Sequence, residues 1–193
     1  MSATTFQLVD LSPLDTALVD ALVPLSVRAA AIIAPRWLPD SEHAREEIVE
    51  VATGPGACRA LLENGVPRGW AGAEQSSESA WELHPLLVDP DRHRAGIGRR
   101  LVEDIERHAR DAGALTMELS TTDATGATTL GGIDLYADPL GALARLDVVD
   151  PVAGHAFRFW QRVGYTVVGV IPDAEGVGAP SIHLAKSLKP GSR

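Results

Sequence analysis

The sequence contains a single cysteine, and this shortage excludes whole classes of protein. With Cys58 alone, the chain forms neither an intramolecular disulfide framework nor a zinc cluster of cysteines. Alanine and leucine residues surround Cys58 along the chain, a setting typical of a small buried side chain rather than of a nucleophile. We therefore expect no metal centre and no cysteine chemistry.

Long apolar runs are missing as well. The most apolar segment, Ala21 to Ala34, is interrupted by Pro24 and Arg28, so it falls short of the roughly 18 unbroken apolar residues of a membrane-spanning helix. The first five residues lack the basic stretch and the apolar run of a secretion signal. We expect a cytoplasmic protein without a membrane partner.

Positive charge is in short supply, since 17 Lys and Arg residues face 26 Asp and Glu residues for a formal net charge of −9. Nucleic acid is a disfavoured partner because its phosphates are bound by cationic surfaces. An acidic protein is compatible with a cationic small molecule. The length of 193 residues, of which 45% are hydrophobic and 22% charged, predicts one folded domain over residues 1–193.

Hydrophobic periodicity predicts an α/β fold of mixed α+β character, with one mixed sheet of about six to seven strands and helices on both faces. The N-terminal part is antiparallel, because two apolar runs meet at Asn64-Gly65, a dipeptide suited to a tight hairpin turn. The predicted strands are Thr5 to Val9, Ala57 to Leu62, Pro67 to Ala73, Trp81 to Val88, Leu115 to Leu119, Thr166 to Ile171 and Ser181 to Ala185. The predicted helices are one beginning at Ser12-Pro13 and carrying Leu14, Leu18 and Leu22, then Ser41 to Val51, Gly96 to Ala112 and Ala153 to Val163.

A central strand, helix and strand form a βαβ unit, in which the helix from Gly96 to Ala112 joins two parallel strands. Between Thr121 and Asp150 the periodicity weakens, and only Pro139 to Leu146 has the pattern of a short helix. So long a connection in a small domain is usually functional or disordered. Residues 188–193 are expected to form a flexible tail.

The segment from Asp89 to Ala112 contains an electrostatic conflict. The N-terminal end of a helix carries partial positive charge and unpaired N–H groups, so acidic side chains are favoured there. Four arginines stand there instead: Arg92, Arg94, Arg99 and Arg100. A diphosphate bound to backbone N–H groups exposed at Gly96 and Gly98 would resolve the conflict. The alternative is a tight turn with arginines in solvent.

Two common phosphate-binding loops fit this segment poorly. A Walker loop requires Gly-Lys followed by Ser or Thr, whereas Gly98 is followed by two arginines. A dinucleotide fingerprint requires a third glycine where Leu101 stands.

The spacing resembles the coenzyme A loop of the GNAT acetyltransferase superfamily, in which Arg or Gln is followed three residues later by Gly-x-Gly and a long helix. Here His93 stands at the Arg or Gln position, ahead of Gly96 and Gly98. That pattern also includes a later helix ending in glycine and an aromatic residue, which is present at Gly164-Tyr165. The resemblance implies acetyl-CoA as cosubstrate, held chiefly by backbone N–H groups.

Within the superfamily the sequence is most similar to aminoglycoside 6'-N-acetyltransferases, roughly from Trp81 to Lys186. The similar stretches are Trp81 to Leu86, Leu119 to Asp123 with Thr128 to Leu130 and Asp134 to Tyr136, the helix before Gly164-Tyr165, and Val168 to Ala174 with Ile182 to Lys186. The resemblance implies an acyltransferase that acetylates a primary amine, such as the 6'-amine of an aminoglycoside, by direct attack in a ternary complex. It further implies a role in antibiotic resistance and, by analogy, a homodimer.

The same resemblance implies residue roles. Coenzyme contacts fall on the strand end, the loop and the later helix: Leu87, Val88, His93, Arg94, Ala95, Gly96, Ile97, Gly98, Arg99 and Trp160. Catalytic roles fall on Glu82, His84, Leu86 and Tyr165. Acceptor contacts, in part from the long connection 121–150, fall on Trp37, Glu82, Asp123, Asp134 and Tyr136.

Several alternatives stay open for these residues. Glu82 and His84 share one face of a strand, yet His84 is equally interpretable as a histidine satisfied by backbone. Asp123 and Asp134 also suit turn chemistry. Trp160 stands where the superfamily commonly has a tyrosine acid, and an indole N–H cannot protonate a thiolate. Tyr165, Tyr136 or water would then serve, or the thiolate leaves unaided.

The acceptor is the least determined feature. Thr122 replaces a second acidic residue, and uncharged residues occupy positions where resistance enzymes tend to carry charge: Gly178, Ala179 and Ser181. Fewer acidic groups weaken polycation binding. A GNAT enzyme for a polyamine, small metabolite or peptide amine, and a coenzyme-binding or sequestering module without turnover, are therefore alternatives to the aminoglycoside enzyme.

Overall fold

The computed structural model describes residues 4–151 and 154–191. Its strands are β1 (Phe6–Asp10), β2 (Ala57–Glu63), β3 (Val66–Ser77), β4 (Ala80–Val88), β5 (Thr116–Thr122), β6 (Thr166–Ile171) and β7 (Ser181–Ser187). Its helices are α1 (Thr16–Ile33), α2 (Ser41–Thr53), α3 (Ile97–Asp111), α4 (Pro139–Ala144) and α5 (Ala156–Arg162). The strands form one seven-stranded sheet in the order β1-β2-β3-β4-β5-β7-β6, which confirms the predicted mixed α/β fold.

The chain divides into two compact units. The first unit comprises residues 4–117 and 187–191, and the second unit comprises residues 118–151 and 154–186. The single domain over residues 1–193 stays a prediction.

An antiparallel meander, β1 to β4, forms the sheet of the first unit. Asn64 and Gly65 join β2 to β3 with φ angles of 51° and 81°. Two successive residues at positive φ are what a tight hairpin turn requires, because such a turn follows the right-handed twist of the strands. The predicted hairpin is therefore confirmed.

Helix α1 supplies much of the core of the first unit. Leu22 and Ala30 are fully buried, in one cluster with Trp70 of β3 and Leu87 of β4. Ser26 accepts a hydrogen bond of 2.8 Å from the Trp70 indole N–H, so these two buried polar groups satisfy each other.

The start predicted for α1 is wrong. The helix begins at Thr16, because the Asp15 side chain caps it by accepting a hydrogen bond of 3.0 Å from the Leu18 N–H. Leu14, which the periodicity placed on the buried face, is 90% exposed. Pro24 lies inside the helix without ending it. By length and composition alone, α1 could cross a membrane, with a mean hydropathy of 1.7.

Helix α3 confirms its predicted apolar face. Ile97, Leu101, Ile105 and Ala109 are each at most 1% exposed. Gly113, at a φ of 92°, stops the helix where the sequence predicts.

The C-terminal residues of the first unit correct one expectation. Leu188 is 3% exposed, and its N–H donates to the Leu115 carbonyl at 2.9 Å. The flexible tail predicted for residues 188–193 therefore does not begin at residue 188, and residues 192 and 193 lie outside the described part of the chain.

The second unit contains the antiparallel pair β6 and β7, with Thr166 opposite Ala185. Helix α4 is the short helix that the sequence predicts in the long connection, and Asp138 caps it. Helix α5 begins at Ala156, after a cap by His155. The predicted start of this helix at Ala153 lies outside the described residues.

Candidate active site

The loop after β4 is anchored by a buried carboxylate. Asp89 is 3% exposed and accepts hydrogen bonds of 2.8 Å from both Arg28 and Arg68. Burial by itself would raise the pKa of Asp89, but the bonds from Arg28 and Arg68 outweigh it and hold the pKa below its ordinary value. Asp89 therefore ties the loop to α1 and β3 as an anion.

Three of the four arginines of the loop have partners within the chain. This corrects the prediction that all four await an external anion. Arg92 donates to the buried carboxylate of Glu63. Arg100 lies over the Phe6 ring at 4.6 Å, and Arg99 lies 3.9 Å from Glu103. Arg94 is exposed and forms no side-chain hydrogen bond or ion pair with residues 4–151 or 154–191. Of the four arginines, Arg94 is the one left for an external anion.

The N-terminal end of α3 has the features of an anion site. Gly96 caps the helix in the left-handed conformation, at a φ of 80°, with no side-chain hydrogen bond to the first turn and no acidic residue within it. The first N–H groups of a helix have no intrahelical acceptor, and those of Ile97 and Gly98 are among them. The donor set of backbone N–H groups and Arg94 therefore fits a diphosphate.

The residues predicted to bind the coenzyme differ in whether their side chains are accessible. The side chains of Leu87 and Ile97 are 1% exposed in the core, so only their backbone groups are available for binding. His93, Arg94 and Gly96 are exposed, while Ala95 is half-buried.

A β-bulge interrupts β4 beside the candidate site. Ala71 pairs with Leu86 and Ala73 with Leu83, so Gly72 between them faces two residues of β4. A side chain at Gly72 would come within 2.3 Å of Val51 and 2.8 Å of the His84 carbonyl. A bulge leaves one residue out of the ladder and shifts the alternation of side chains. As a result Leu87 packs into the core cluster, while Leu86 is half-buried.

A predicted acceptor residue, Trp37, and a predicted catalytic residue, His84, both contact a third residue that the sequence did not single out. His84 Nε2 lies 3.2 Å from Glu47 Oε1. The Trp37 indole N–H donates to Glu47 Oε2 at 3.4 Å, and the Trp37 and His84 rings lie 5.1 Å apart. The alternative of a backbone-satisfied His84 is not what this geometry shows. Helical spacing from the buried Ala44, three residues earlier, was the available signal for Glu47.

Glu82 faces another carboxylate. It pairs in register with Glu74 of β3, and both side chains are exposed. Within the described ranges neither carboxylate has a cationic partner. Like charges directly opposite on a sheet destabilise each other, so a bound cation would relieve this pair.

The acidic residues predicted from the long connection have different surroundings in the second unit. Asp123 is 1% exposed and accepts bonds from the Ala127 N–H at 2.7 Å, the Thr128 N–H at 2.8 Å and the Thr128 hydroxyl at 2.7 Å. Burial would raise its pKa, but these hydrogen bonds hold it below the ordinary value. Asp123 therefore performs the turn chemistry of the alternative interpretation, and its burial disfavours acceptor binding.

Asp134 and Tyr136 remain accessible in the same unit. Asp134 is exposed and accepts a hydrogen bond of 3.0 Å from the Tyr136 N–H, and Tyr136 is 71% exposed. Both keep their predicted acceptor roles as predictions.

Two aromatic rings pack together near the end of α5. Trp160 and Tyr165 are 7% and 3% exposed, and their centroids lie 5.3 Å apart in an edge-to-face arrangement. Lys186 lies 5.6 Å from the Tyr165 ring centroid. The structure shows packing for both residues, and their predicted coenzyme and acid roles stay predictions.

A comparison with protein-family models gives the decisive observation for identity. The model of the Acetyltransferase (GNAT) family matches residues 26–142, more than half of the chain and all of the loop described above. The chain belongs to the GNAT acetyltransferase family. Curated protein sequences give no match.

Solved structures agree with the assignment of this acetyltransferase to the GNAT family. A crystal structure of aminoglycoside 6'-N-acetyltransferase complexed with coenzyme A superposes with a TM-score of 0.84 at 29% identity, covering 97% of this chain and 99% of that chain. The aminoglycoside 6'-N-acetyltransferase from Enterococcus faecium gives a TM-score of 0.83 at 30% identity, with the same coverage of both chains. A third, aminoglycoside 6'-acetyltransferase type Ii, gives 0.68 at 26% identity, covering 95% and 98%.

These findings decide the reaction class. The protein is an N-acetyltransferase that uses acetyl-CoA. The sequestering module without turnover is thereby set aside in favour of an enzyme.

Proposed function

We propose that this acetyltransferase transfers the acetyl group of acetyl-CoA to the 6'-amine of an aminoglycoside. The observation that carries the proposal is the exposed Glu74–Glu82 pair, without a cation among the described residues, next to the Trp37, Glu47 and His84 contacts. A polycationic sugar suits such a surface. Likeness to aminoglycoside 6'-N-acetyltransferases over 97% of the chain supports the same acceptor.

The first task of the protein is to hold the diphosphate of the coenzyme. Backbone N–H groups at Gly96, Ile97 and Gly98 would bind it at the positive end of α3, with Arg94 as the side-chain cation. When bound, acetyl-CoA supplies the thioester. The internal pairing of Arg92 keeps this loop in shape without using its charge on the ligand.

The second task is to bind an ammonium and remove its proton. A carboxylate such as Glu82 binds the ammonium but also stabilises the charged form, which opposes deprotonation. His84 lies two residues along the same strand face and is exposed, so it is the better base. Glu82 is therefore the acceptor ligand, and His84 is the proton acceptor.

The third task is to stabilise the developing oxyanion. The bulge at Gly72 leaves His84 and Pro85 out of the regular ladder, directly before Leu86, and the Leu86 N–H is the proposed donor to the thioester oxygen. The thiolate is a good leaving group, because the pKa of a thiol is about 8.5. Tyr165, Tyr136 and water remain the proposed sources of its proton.

A second candidate acceptor is a smaller amine, such as a polyamine. The observation that favours it is the burial of Asp123, which removes one acidic group from those that the sequence offered to a polycation. The remaining acidic pair on β3 and β4 would suit a shorter cation.

Release of coenzyme A thiol, followed over a panel of aminoglycosides, polyamines and peptide amines, tests the proposal. We expect the highest kcat/KM with aminoglycosides that carry a 6'-amine, and none with a 6'-hydroxyl analogue. Higher kcat/KM with a polyamine would select the second candidate. Equal turnover of 6'-amino and 6'-hydroxyl compounds would contradict the proposed position of acetylation.

The biological context belongs to the same proposal. A role in antibiotic resistance predicts that expression in a susceptible bacterium raises the inhibitory concentration of a 6'-amino aminoglycoside. Expression of the Glu82→Gln variant is the control. The homodimer and the cytoplasmic location expected from the sequence are tested by sedimentation of the purified enzyme and by cell fractionation.

A further inference from the structure

We propose that Glu47 is a positioning residue of the acceptor site, which holds the His84 ring so that Nδ1 is the basic nitrogen presented to the amine. Glu47 lies on α2, and its side chain is 18% exposed. It is the carboxylate that contacts both Trp37 and His84, one with each oxygen. The role of the amine in this inference rests on the proposed function.

The hydrogen-bonding capacities of the three groups determine the tautomer. An ionised carboxylate only accepts hydrogen bonds, and an indole N–H only donates. Trp37 therefore occupies Glu47 Oε2, and His84 Nε2 lies 3.2 Å from the anionic Oε1, where an N–H is favoured because a lone pair would be repelled. A neutral imidazole has one N–H, so Nδ1 keeps the lone pair.

The surroundings of His84 leave that lone pair accessible. The His84 side chain is 56% exposed, and no group among residues 4–151 and 154–191 bonds to its Nδ1. The charged group in contact with it is Glu47 on α2, and Glu82, which pairs in register with Glu74 of β3, lies two residues earlier on β4. A histidine oriented by one carboxylate and open on its other nitrogen is the arrangement of a general base.

The proton and electron balance of the transfer is then simple. The acceptor arrives as an ammonium, and His84 Nδ1 takes one of its protons. The nitrogen lone pair forms the new C–N bond with the thioester carbon while the C–S bond breaks. The nitrogen then loses a second proton and the thiolate sulfur gains one through Tyr165, Tyr136 or water, which gives an amide, a thiol and a protonated His84. Glu47 faces that cation and stabilises it.

Glu47→Gln is the sharpest test, because it keeps the size of the side chain and changes its bonding. The amide oxygen can still accept from Trp37, but the NH₂ group can only donate, so His84 Nε2 must become the acceptor and Nδ1 the N–H. Glu46→Gln is the matched control, since Glu46 is the exposed neighbour on the same helix and loses the same charge.

Proton–nitrogen NMR of the imidazoles, with the His84 signal identified by its loss in His84→Gln, reads the tautomer in the resting enzyme. We expect Nε2–H in the wild type and in Glu46→Gln, and Nδ1–H in Glu47→Gln. We also expect kcat/KM for the amine to fall about tenfold or more in Glu47→Gln, with the KM for acetyl-CoA unchanged. Trp37→Phe, which removes only the N–H partner of Glu47, is expected to cause a smaller loss.

Two results would overturn the inference: an Nδ1–H tautomer in the wild type, or equal kinetic losses in Glu47→Gln and Glu46→Gln. Failure of the proposed function has a different signature. If the wild type acetylates no aminoglycoside, the tautomer measurement on the resting enzyme still decides the role of Glu47, because it requires no acceptor. Thermal unfolding of each variant shows whether a loss reflects stability instead.

Discussion

Two charged surfaces of the first unit differ in whether their carboxylates are buried and paired with arginine. At the coenzyme loop, Asp89 and Glu63 are buried and each meets arginine side chains. On the acceptor side, Glu74 and Glu82 are exposed, lie opposite each other and meet no cation in the described part of the chain.

The difference follows from how each surface would bind its ligand. A diphosphate at the helix end is bound mostly by backbone dipoles, so nearby side-chain charges can be neutralised internally without loss. An ammonium group needs a full negative charge, so carboxylates there are left without internal partners. The net charge of −9 reveals neither the paired nor the unpaired carboxylates, because it is a sum over the whole chain.

The largest expected effect is on stability, at the internally paired surface. Asp89→Asn removes the negative charge that forms ion pairs with Arg28 and Arg68. We expect a loss of about 2–3 kcal/mol in the free energy of unfolding at neutral pH. Urea unfolding measures it. Asp91→Asn is the control, because Asp91 is 84% exposed and lies 4.0 Å from Arg28. Equal losses in both variants would mean that burial of the pair is irrelevant.

The pH dependence of that loss has a definite sign. Because the folded pKa of Asp89 lies below its ordinary value of 3.8, its stabilisation is present above that value and is lost as pH falls through the folded pKa. The difference in unfolding free energy between wild type and Asp89→Asn should therefore shrink below pH 3.8. A difference that stays constant into that acidic range would contradict the assignment.

At the unpaired surface the expected effect is on turnover. Glu82→Gln removes the charge that is proposed to bind the ammonium, and we expect kcat/KM for the amine to fall about 100-fold with the KM for acetyl-CoA unchanged. Glu78→Gln, in the turn between β3 and β4, is the control. An equal rise in the KM for both substrates would show that Glu82 supports the fold of the site rather than the acceptor.

A smaller effect separates the two ends of α3. Gly96→Ala and Gly113→Ala each place a side chain at positive φ, 80° and 92°, with no atom within 4 Å of the new group. Each should cost about 1–2 kcal/mol of stability from backbone strain. Only Gly96→Ala should also raise the KM for acetyl-CoA, by about tenfold, since only that end of α3 is the proposed diphosphate site. Steady-state kinetics beside urea unfolding distinguishes strain from ligand binding.

The smallest effect is one of salt. Exposed charges are screened with a Debye length of about 10 Å at about 0.1 M salt. Raising the salt from about 0.05 M to about 0.5 M should therefore increase the KM for a polycationic acceptor severalfold in the wild type. In Glu82→Gln the increase should be smaller. An identical salt dependence in both proteins would remove Glu82 from the attraction.

Local sequence signals predicted the elements around the site well. The apolar repeat of α3, the hairpin at Asn64-Gly65 and the strand from Thr166 to Ile171 all lie where the periodicity indicated. Each depends on residues a few positions apart, so propensity and turn chemistry suffice. The start of α1 was missed because the Asp15 cap competed with an equally plausible Ser12-Pro13 start.

Contacts between residues far apart in the sequence could not be predicted from these local signals. Arg28 and Asp89 are 61 positions apart, and Arg92 and Glu63 are 29 apart. Nothing in the loop sequence distinguishes the paired Arg92 from the available Arg94. The same holds for Glu47, one of several glutamates on α2, which becomes distinct only when Trp37 and His84 close around it.

The sequence by itself predicted the glycine loop that begins α3 as the coenzyme site, because glycine spacing, helix phase and the excess of arginine are local properties. Tertiary structure decided which arginine is left for an anion, which glutamate orients His84, and that Asp123 is used within its own loop. Charges acquire their roles from partners that folding brings close, and the strength of an ion pair depends on distance and burial. Neither quantity is encoded in residue order alone.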